Sequence, residues 1–197
     1  MILVPRPFQL LDGSGVKLTM RALPADQQAP GLAHAFRPQA ANTGRHGTIS
    51  PSMSPQQKAE SLGIAFSPQT PGYLNLCIRS GKQLITSGHV SGMKGKLGGD
   101  LTTEQGYQAA RDCATRILQS VWNAHGTLDG LRVLKVLGCV NSAPEFIEQH
   151  LVINGASDLL HEVFGKQTDG YHARSALGFV SLPTGAAVEV EAIFEIT

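Results

Sequence analysis

Alternating hydrophobic and polar residues predict two strands in the region that follows residue 70. In "GYLNLCIRS", Leu74, Leu76 and Ile78 fall on one side of an extended chain, which is the pattern of a half-buried strand. The letters "SGK" then indicate a turn, and "QLITSGHV" has the composition of a returning strand. We therefore expect an antiparallel hairpin in this region.

A helical period replaces the alternation after the glycine-rich loop "SGMKGKLGGD". That loop lacks a closing Gly-Lys-Ser or Gly-Lys-Thr, so it is not a Walker phosphate loop. In "LTTEQGYQAARDCATRILQSVWNAHG", apolar residues recur at three- and four-residue spacings. Thr102 and Gln105 have the spacing of a capping box, and Gly126 suits a C-cap. This segment predicts one long helix.

The remaining segments complete the pattern of an α+β fold. The run "LRVLKVLGCV" is almost continuously apolar and predicts a central strand. Ser142 and Glu145 indicate a second helical region, which we expect to be interrupted at "INGAS" and to continue through "SDLLHEVFG". Two final strands are predicted in "HARSALGFVSL" and "AAVEVEAIFEI", on either side of a Pro-Thr-Gly turn. The order β-β-α-β-α-β-β predicts a sheet with two helices on one face.

Residues 1–53 show no such periodicity. They contain prolines and scattered histidines, and Asp12 and Asp26 are their only acidic residues against five basic ones. Our interpretation is a disordered N-terminal extension ahead of one domain at 54–197. Two alternatives stay open: sequence upstream of a start at Met53, and a mitochondrial-type leader, which the acid-poor composition permits.

Composition narrows the classes of partner and compartment. The net charge is +1 and the sixteen basic residues are scattered, which argues against a nucleic-acid partner. The three cysteines are far apart and odd in number, so we expect no disulfide framework and a reducing compartment such as the cytoplasm. No run of about 18 apolar residues occurs, so no membrane span is expected. The low charged fraction of 16% fits an oligomer.

Arg174 is the first candidate for ligand binding. It shares a strand face with Ala176, Gly178 and Val180, which leave space around its guanidinium. Arginine binds carboxylates through two parallel hydrogen bonds, which strengthen where water is excluded. A structural ion pair with a nearby glutamate is the alternative.

Glu189 is the second candidate. With Glu191 and Glu195 it lies on the face of the last strand opposite the apolar residues. An ordinary solvated face is the alternative interpretation. A tight turn near Thr184 would place Glu189 opposite Gly178 or Phe179, with Arg174 roughly 13 Å further along. A small ligand or a second subunit would then fit between Arg174 and Glu189.

Other chemical motifs are incomplete. His172 is expected to face away from Arg174 and to be structural or solvated. His161 and Glu162 form only part of a zinc HExxH motif, because Gly165 occupies the second histidine position. Ser87 lacks the GxSxG elbow of a hydrolase. The cysteines lie in apolar segments and are expected in the core, and no metal site is expected.

Five stretches together resemble the YjgF/Rid family of reactive-intermediate deaminases, once described as L-PSP endoribonucleases. They are "LITSGHV", "VLGCVNSAPEF", "VINGASDLL", "HARSALGFVSLP" and "VEVEAIFEI", and the resemblance covers residues 54–197. It implies a chorismate-mutase-like fold and a homotrimer with sites in the clefts between subunits. Within this sequence, Ala176 departs from the cysteine that the deaminases often carry there.

The resemblance also implies an activity and a site. Arg174 would hold a substrate carboxylate and Glu189 would orient water or transfer a proton, without any cofactor. The residues implied to line the cleft are Tyr73, Ser87, Gly88 and Asn154. The implied reaction converts a small 2-imino acid, or an enamine such as 2-aminoacrylate, into a 2-keto acid and ammonia. The alternatives are a non-catalytic trimer that binds a small carboxylate or a protein, and a ribonuclease, which would need a basic groove.

Overall fold

The computed structural model describes residues 10–11, 17–18, 53–70 and 72–197. Two short strands, β1 (Leu10–Leu11) and β2 (Lys17–Leu18), pair antiparallel within a unit that spans Met1–Thr48. The second unit spans Ile49–Thr197. The prediction of a disordered extension at 1–53 falls almost entirely outside the described residues, so that prediction stays open.

Two of the three α-helices in the described residues begin with the same capping arrangement. Helix α1 (Pro55–Ser61) is capped by Ser54, and helix α2 (Thr103–His125) by Thr102. In α2 the Thr102 hydroxyl accepts from the backbone N–H of Gln105, whose side chain accepts from the N–H of Thr102. Gly126 ends α2 at φ 89°, a conformation that favours glycine. Both predicted caps of the long helix are confirmed.

Helix α3 (Gln149–Phe164) differs from its prediction. It starts seven residues after Ser142 and runs without interruption through Asn154 and Gly155. A Cβ on Gly155 would lie 1.9 Å from the backbone oxygen of Tyr107 in α2. The glycine therefore serves close packing of α2 against α3, and this packing outweighs its poor helix propensity. A π-helical turn at Gly165–Asp169 follows α3.

Six strands form one sheet in the order β3-β4-β8-β6-β7, and β5 pairs with β8 alongside β4. All neighbours are antiparallel except β6 and β7, which are parallel. The strands are β3 (Cys77–Ser80), β4 (Gln83–Thr86), β5 (His89–Val90), β6 (Leu131–Asn141), β7 (Ala173–Phe179) and β8 (Val188–Ile196). The predicted element order and central strand are confirmed.

Two details of the predicted strands are wrong. The first strand begins only at Cys77, because Leu74 and Leu76 are exposed in the preceding loop. The two last strands are not neighbours, because β6 lies between them. Pro183–Gly185 forms a 3₁₀ turn within a connection long enough to cross the end of β6, so no tight hairpin forms. The long apolar β6 can thus pair along both of its edges.

The helices cover only one face of the sheet. Buried residues of that face include Val136, Val190 and Phe194, and Gly138 allows Ile153 of α3 to approach β6 closely. On the other face no described element covers the sheet, and an apolar set lies there that includes Ile78, Leu177 and Phe179. The side chains of Leu177 and Phe179 are 48% and 41% exposed. None of the described helices is both long and apolar enough to span a bilayer.

Candidate functional site

Arg174 lies on the edge strand β7 and points towards helix α3. It pairs with Val136 of β6, whose side chain is buried under the helices, so Arg174 occupies the helix-covered face. Its Nη1 donates to Asn154 Oδ1 at 2.8 Å and to Ser157 Oγ at 3.2 Å. Partial burial lowers the pKa of Arg174, and the charge of Asp158 opposes that effect. Within the described part of the chain, no carboxylate forms an ion pair with Arg174.

Asn154 is the predicted cleft residue that the structure brings to Arg174. It lies on α3 beside Gly155, in the segment where an interruption was expected. Because α3 stays helical there, Asn154 and Ser157 lie one turn apart on the same side of the helix. Both side chains can therefore reach one guanidinium nitrogen.

His172 also belongs to this group, and its predicted orientation was wrong. His172 directly precedes β7 and lies on the same side of the chain as Arg174, so both side chains reach Ser157. The ring lies 3.0 Å from Ser157 Oγ through Nε2 and 2.6 Å from the Gly170 carbonyl oxygen through Nδ1. The small spacing between His172 and Arg174 was the available signal for this contact. No sequence signal identified Ser157.

A second histidine lies beside the first. The rings of His161 and His172 have centroids 5.1 Å apart, and His161 Nδ1 is 3.9 Å from Asp158 Oδ1. Burial is the main cause that lowers the pKa of each histidine below its ordinary value of 6.5. The rest of the HExxH fragment has a structural role, since Glu162 pairs with Arg111 at 2.7 Å.

Glu189 lies on the open face of the sheet. It pairs with Cys139 of β6 and with Val90 of β5. A Cβ on Gly88 would lie 1.9 Å from Glu189 Oε1, so the carboxylate packs directly on the Gly88 backbone. Burial raises the pKa of Glu189, and the neighbouring charge of Glu191 raises it further. Glu189 is half-buried, which does not fit an ordinary solvated face, whereas Glu191 is exposed.

Ser87 adjoins this carboxylate region, and Tyr73 does not contact it. The Ser87 hydroxyl donates to the Asn75 carbonyl oxygen at 2.9 Å and so holds the loop before β3. Tyr73 lies in that loop with a fully exposed side chain. Among the predicted cleft residues, Ser87 and Gly88 therefore lie near Glu189, and Asn154 lies near Arg174.

The two candidate residues are far apart within one chain. Arg174 pairs with Val136 and Glu189 pairs with Cys139, three positions along the same strand. An odd separation places the two side chains on opposite faces of the sheet. Their backbones are separated by roughly 10 Å along β6 and roughly 10 Å across it. The predicted 13 Å spacing assumed a hairpin that does not form, and one chain does not build a single site from both residues.

Sequence reasoning also missed a buried histidine, His89. Its Nδ1 lies 2.8 Å from the Ser87 carbonyl oxygen and its Nε2 lies 2.8 Å from Ser120 Oγ of α2. Burial lowers the pKa of His89. His89, Ser120 and Gly88 line a cavity of about 650 Å³ between α2, β5 and the loop after α1.

Two of the three cysteines lie in the core, as was expected, and the third does not. Cys77 and Cys113 are buried in the core, and Cys139 is half-buried on the open face. Burial raises the pKa of Cys77 and Cys139 to about 11 and raises that of Cys113 as well. Such thiols are poor nucleophiles at neutral pH.

Comparison with known proteins assigns this chain to a family. Residues 66–196 match the Endoribonuclease L-PSP family. Protein TCP17 from Trypanosoma cruzi is 46% identical over 142 residues, which cover 68% of this chain and 87% of that protein. The family match falls on the unit that contains Arg174 and Glu189.

Solved structures share the fold. The protein Atu1372 from Agrobacterium tumefaciens, of unknown function, is 40% identical, with a TM-score of 0.64 over 72% of this chain and 91% of that one. A proposed endoribonuclease from Shewanella oneidensis is 26% identical, with a TM-score of 0.66 over 73% of this chain and 99% of that one. The chain belongs to the endoribonuclease L-PSP family, also called the YjgF/Rid family.

Proposed function

We propose that the protein hydrolyses small 2-imino acids and their enamine tautomers, such as 2-aminoacrylate, to 2-keto acids and ammonia. The observation that carries this proposal is the state of Arg174. Its Nη1 is held by two neutral acceptors, and no carboxylate within the described residues competes for the charge. A half-buried guanidinium in this state suits a ligand carboxylate, which it binds with paired, charge-assisted hydrogen bonds.

Glu189 supplies the proton transfer in this proposal. Burial and the neighbouring Glu191 raise the pKa of Glu189, which brings the carboxyl closer to the range useful for acid–base catalysis. Glu189 accepts a proton from a water molecule while the oxygen of that water bonds to the imine carbon. Glu189 then passes the proton to the departing nitrogen. The tetrahedral adduct loses ammonia and leaves the 2-keto acid. An imine is already electrophilic, so the proposed reaction needs no cofactor.

A complete site requires a second copy of the chain. Arg174 and Glu189 lie on opposite faces of one sheet, and the open face exposes apolar residues such as Leu177 and Phe179. Exposed apolar patches of this kind favour association between subunits. We propose a homotrimer in which Arg174 faces Glu189 of the partner subunit across a cleft. Asn154, Ser87, Gly88 and Tyr73 are the proposed lining, and the cytoplasm is the proposed compartment because the cysteines are free thiols.

The test is clearance of 2-aminoacrylate, generated from serine by a dehydratase and followed as pyruvate formation above the spontaneous rate. We expect acceleration by the wild type. We expect Arg174→Ala to lower this acceleration about 100-fold, because hydrogen bonds to a charged group contribute roughly 3 kcal/mol to binding. A loss of about 100-fold is also expected for Glu189→Gln, the proposed proton-transfer residue. Glu191→Gln is the matched control, since Glu191 shares the strand face but is exposed.

Light scattering on every variant separates a lost site from a lost trimer. Equal pyruvate formation with and without wild-type protein, for 2-aminoacrylate and bulkier imino acids alike, would overturn the deaminase proposal. An effect of Glu191→Gln as large as that of Glu189→Gln would remove the specific role of Glu189.

Carboxylate binding without catalysis is the second candidate function. It is favoured by Ala176, which shares the face of Arg174 and places a methyl group where many deaminases carry a thiol. That function predicts that wild type binds pyruvate while no imino acid is cleared faster than in buffer. Calorimetric titration with pyruvate, run beside the clearance assay, distinguishes the two functions.

A further inference from the structure

We propose that Ser157 and His172 are positioning residues that hold the Arg174 guanidinium ready for a carboxylate. This inference rests on the proposed function and adds two residues to its binding half. Neither residue needs to touch the ligand, because both act through Arg174.

The hydrogen bonds of this group can run in only one direction. The Gly170 carbonyl oxygen can only accept, so the His172 Nδ1 at 2.6 Å carries the hydrogen. The neutral ring then presents a lone pair at Nε2, and the Ser157 hydroxyl must donate to it across 3.0 Å. The lone pairs of Ser157 Oγ are then free to accept from Arg174 Nη1, which can only donate.

The surroundings keep the histidine ring in the neutral form that this chain of bonds requires. Burial is the main cause that lowers the pKa of His172, and the charges of His161 and Arg174 lower it further. The Gly170 carbonyl works in the opposite direction. A neutral ring near pH 7 can act as the acceptor for Ser157.

The arrangement fixes one side of the guanidinium and leaves the other for a ligand. Nη1 is engaged by Asn154 and Ser157 together, from two successive turns of α3. Among the described residues, neither Nε nor Nη2 of Arg174 has a hydrogen-bond partner. Ser157 is buried, so water cannot easily replace its hydroxyl if that group is removed. This orientation improves binding because the Arg174 side chain is already immobilised in the free protein and loses little further entropy when a ligand binds.

The molecule offers a matched control in Ser120. It too is a buried helix serine next to the Nε2 of a histidine, but no arginine donates to it within the described structure. We would compare Ser157→Ala, Ser157→Thr and Ser120→Ala in two measurements. One is the dissociation constant for pyruvate, and the other is the rate of imino-acid clearance at saturating substrate.

We expect Ser157→Ala to weaken pyruvate binding about tenfold, equivalent to one lost hydrogen bond to a charged group. The saturating rate should change much less, because Glu189 is untouched. Ser157→Thr keeps the hydroxyl and should restore most of the affinity, whereas Ser120→Ala should leave it unchanged. Equal pyruvate affinity of wild type and Ser157→Ala would overturn the inference, as would an equal loss in Ser120→Ala.

A ligand-free measurement separates this inference from the proposed function. Nuclear magnetic resonance on ¹⁵N-labelled protein should show His172 as the Nδ1–H tautomer and a slowly exchanging Arg174 guanidinium. Exchange should quicken in Ser157→Ala and in His172→Ala. If wild type neither clears imino acids nor binds pyruvate, the proposed function fails. Unchanged guanidinium exchange in both variants would then contradict the positioning role as well.

Discussion

His89 is the first residue of β5 and His172 directly precedes β7, and each contacts a serine on a neighbouring helix. In each case Nδ1 faces the carbonyl oxygen two residues earlier, at 2.8 Å from Ser87 and 2.6 Å from Gly170. Nε2 faces the serine hydroxyl at 2.8 Å and 3.0 Å. Both serines are 4% exposed. The two regions thus share one local geometry.

They differ in what the serine does next. Two residues after His172 stands Arg174, whose Nη1 donates to the same serine. Two residues after His89 stands Ser91, whose hydroxyl donates to the Met93 carbonyl oxygen. The His172–Ser157 pair is thus connected to the half-buried charge of Arg174, whereas the His89–Ser120 pair has no such connection among the described residues. The residue two positions after the histidine therefore decides whether an arginine is attached to the histidine–serine pair.

The largest effect expected from removing the serine of either histidine–serine pair is on the free energy of unfolding. Ser120→Ala and Ser157→Ala each remove the hydroxyl that donates to a histidine nitrogen, on buried His89 and half-buried His172 respectively. An acceptor left without its donor in this way costs about 1–3 kcal/mol. We therefore expect the two variants to lose similar free energies of unfolding in urea titrations. A much larger loss for Ser157→Ala would mean that its affinity defect reflects general destabilisation.

A smaller effect, on the rate of imino-acid clearance, is expected from a substitution beside the His89–Ser120 pair, where the chain contacts Glu189. Gly88 directly precedes His89, and a Cβ there would collide with Glu189 Oε1. Gly88→Ala should therefore displace Glu189 and slow imino-acid clearance about tenfold, while pyruvate affinity falls much less. The loss should be only part of the roughly 100-fold or more that acid–base catalysis contributes, because the carboxyl is displaced and not removed. Gly72→Ala is the control, because nothing lies within 4 Å of a Cβ at that glycine. A rate unchanged by Gly88→Ala would show that the position of Glu189 is unimportant.

The smallest effect concerns pH and affects both pairs. Burial lowers the pKa of His89 and of His172 below 6.5 in the folded chain, so the unfolded chain binds protons more readily. Their contribution to stability is complete above about pH 6.5 and is lost as the pH falls below that value. Urea titrations between pH 7 and pH 5 should show this decline. Replacing His89 by glutamine should flatten the decline, and an unchanged slope would contradict its assignment to that histidine.

The success of sequence reasoning depended on how local each feature is. Both ends of α2 were predictable because Thr102, Gln105 and Gly126 act through bonds within the same helix end. The alternation of β8 was equally visible, since buried Val190 and exposed Glu191 are adjacent. Such features need no knowledge of the partner element.

Features that depend on contacts between residues far apart in the sequence could not be predicted. The insertion of β6 between β7 and β8 moved Arg174 and Glu189 to opposite faces, and nothing within the last 26 residues alone reveals it. The continuity of α3 depends on Tyr107, which approaches Gly155 from 48 residues away in sequence. Ser157 was overlooked because its partners come from another element.

The placement of Arg174 and Glu189 on two faces of one sheet has an evolutionary consequence. No hydrogen bond or ion pair in the described structure joins the two residues. Selection can therefore act on either residue without disturbing how the other is packed. Under the proposed function, a gene copy that lost the carboxyl at Glu189 would still bind the ligand carboxylate through Arg174. The proposed function thus implies that a single substitution separates a catalyst from a metabolite sensor.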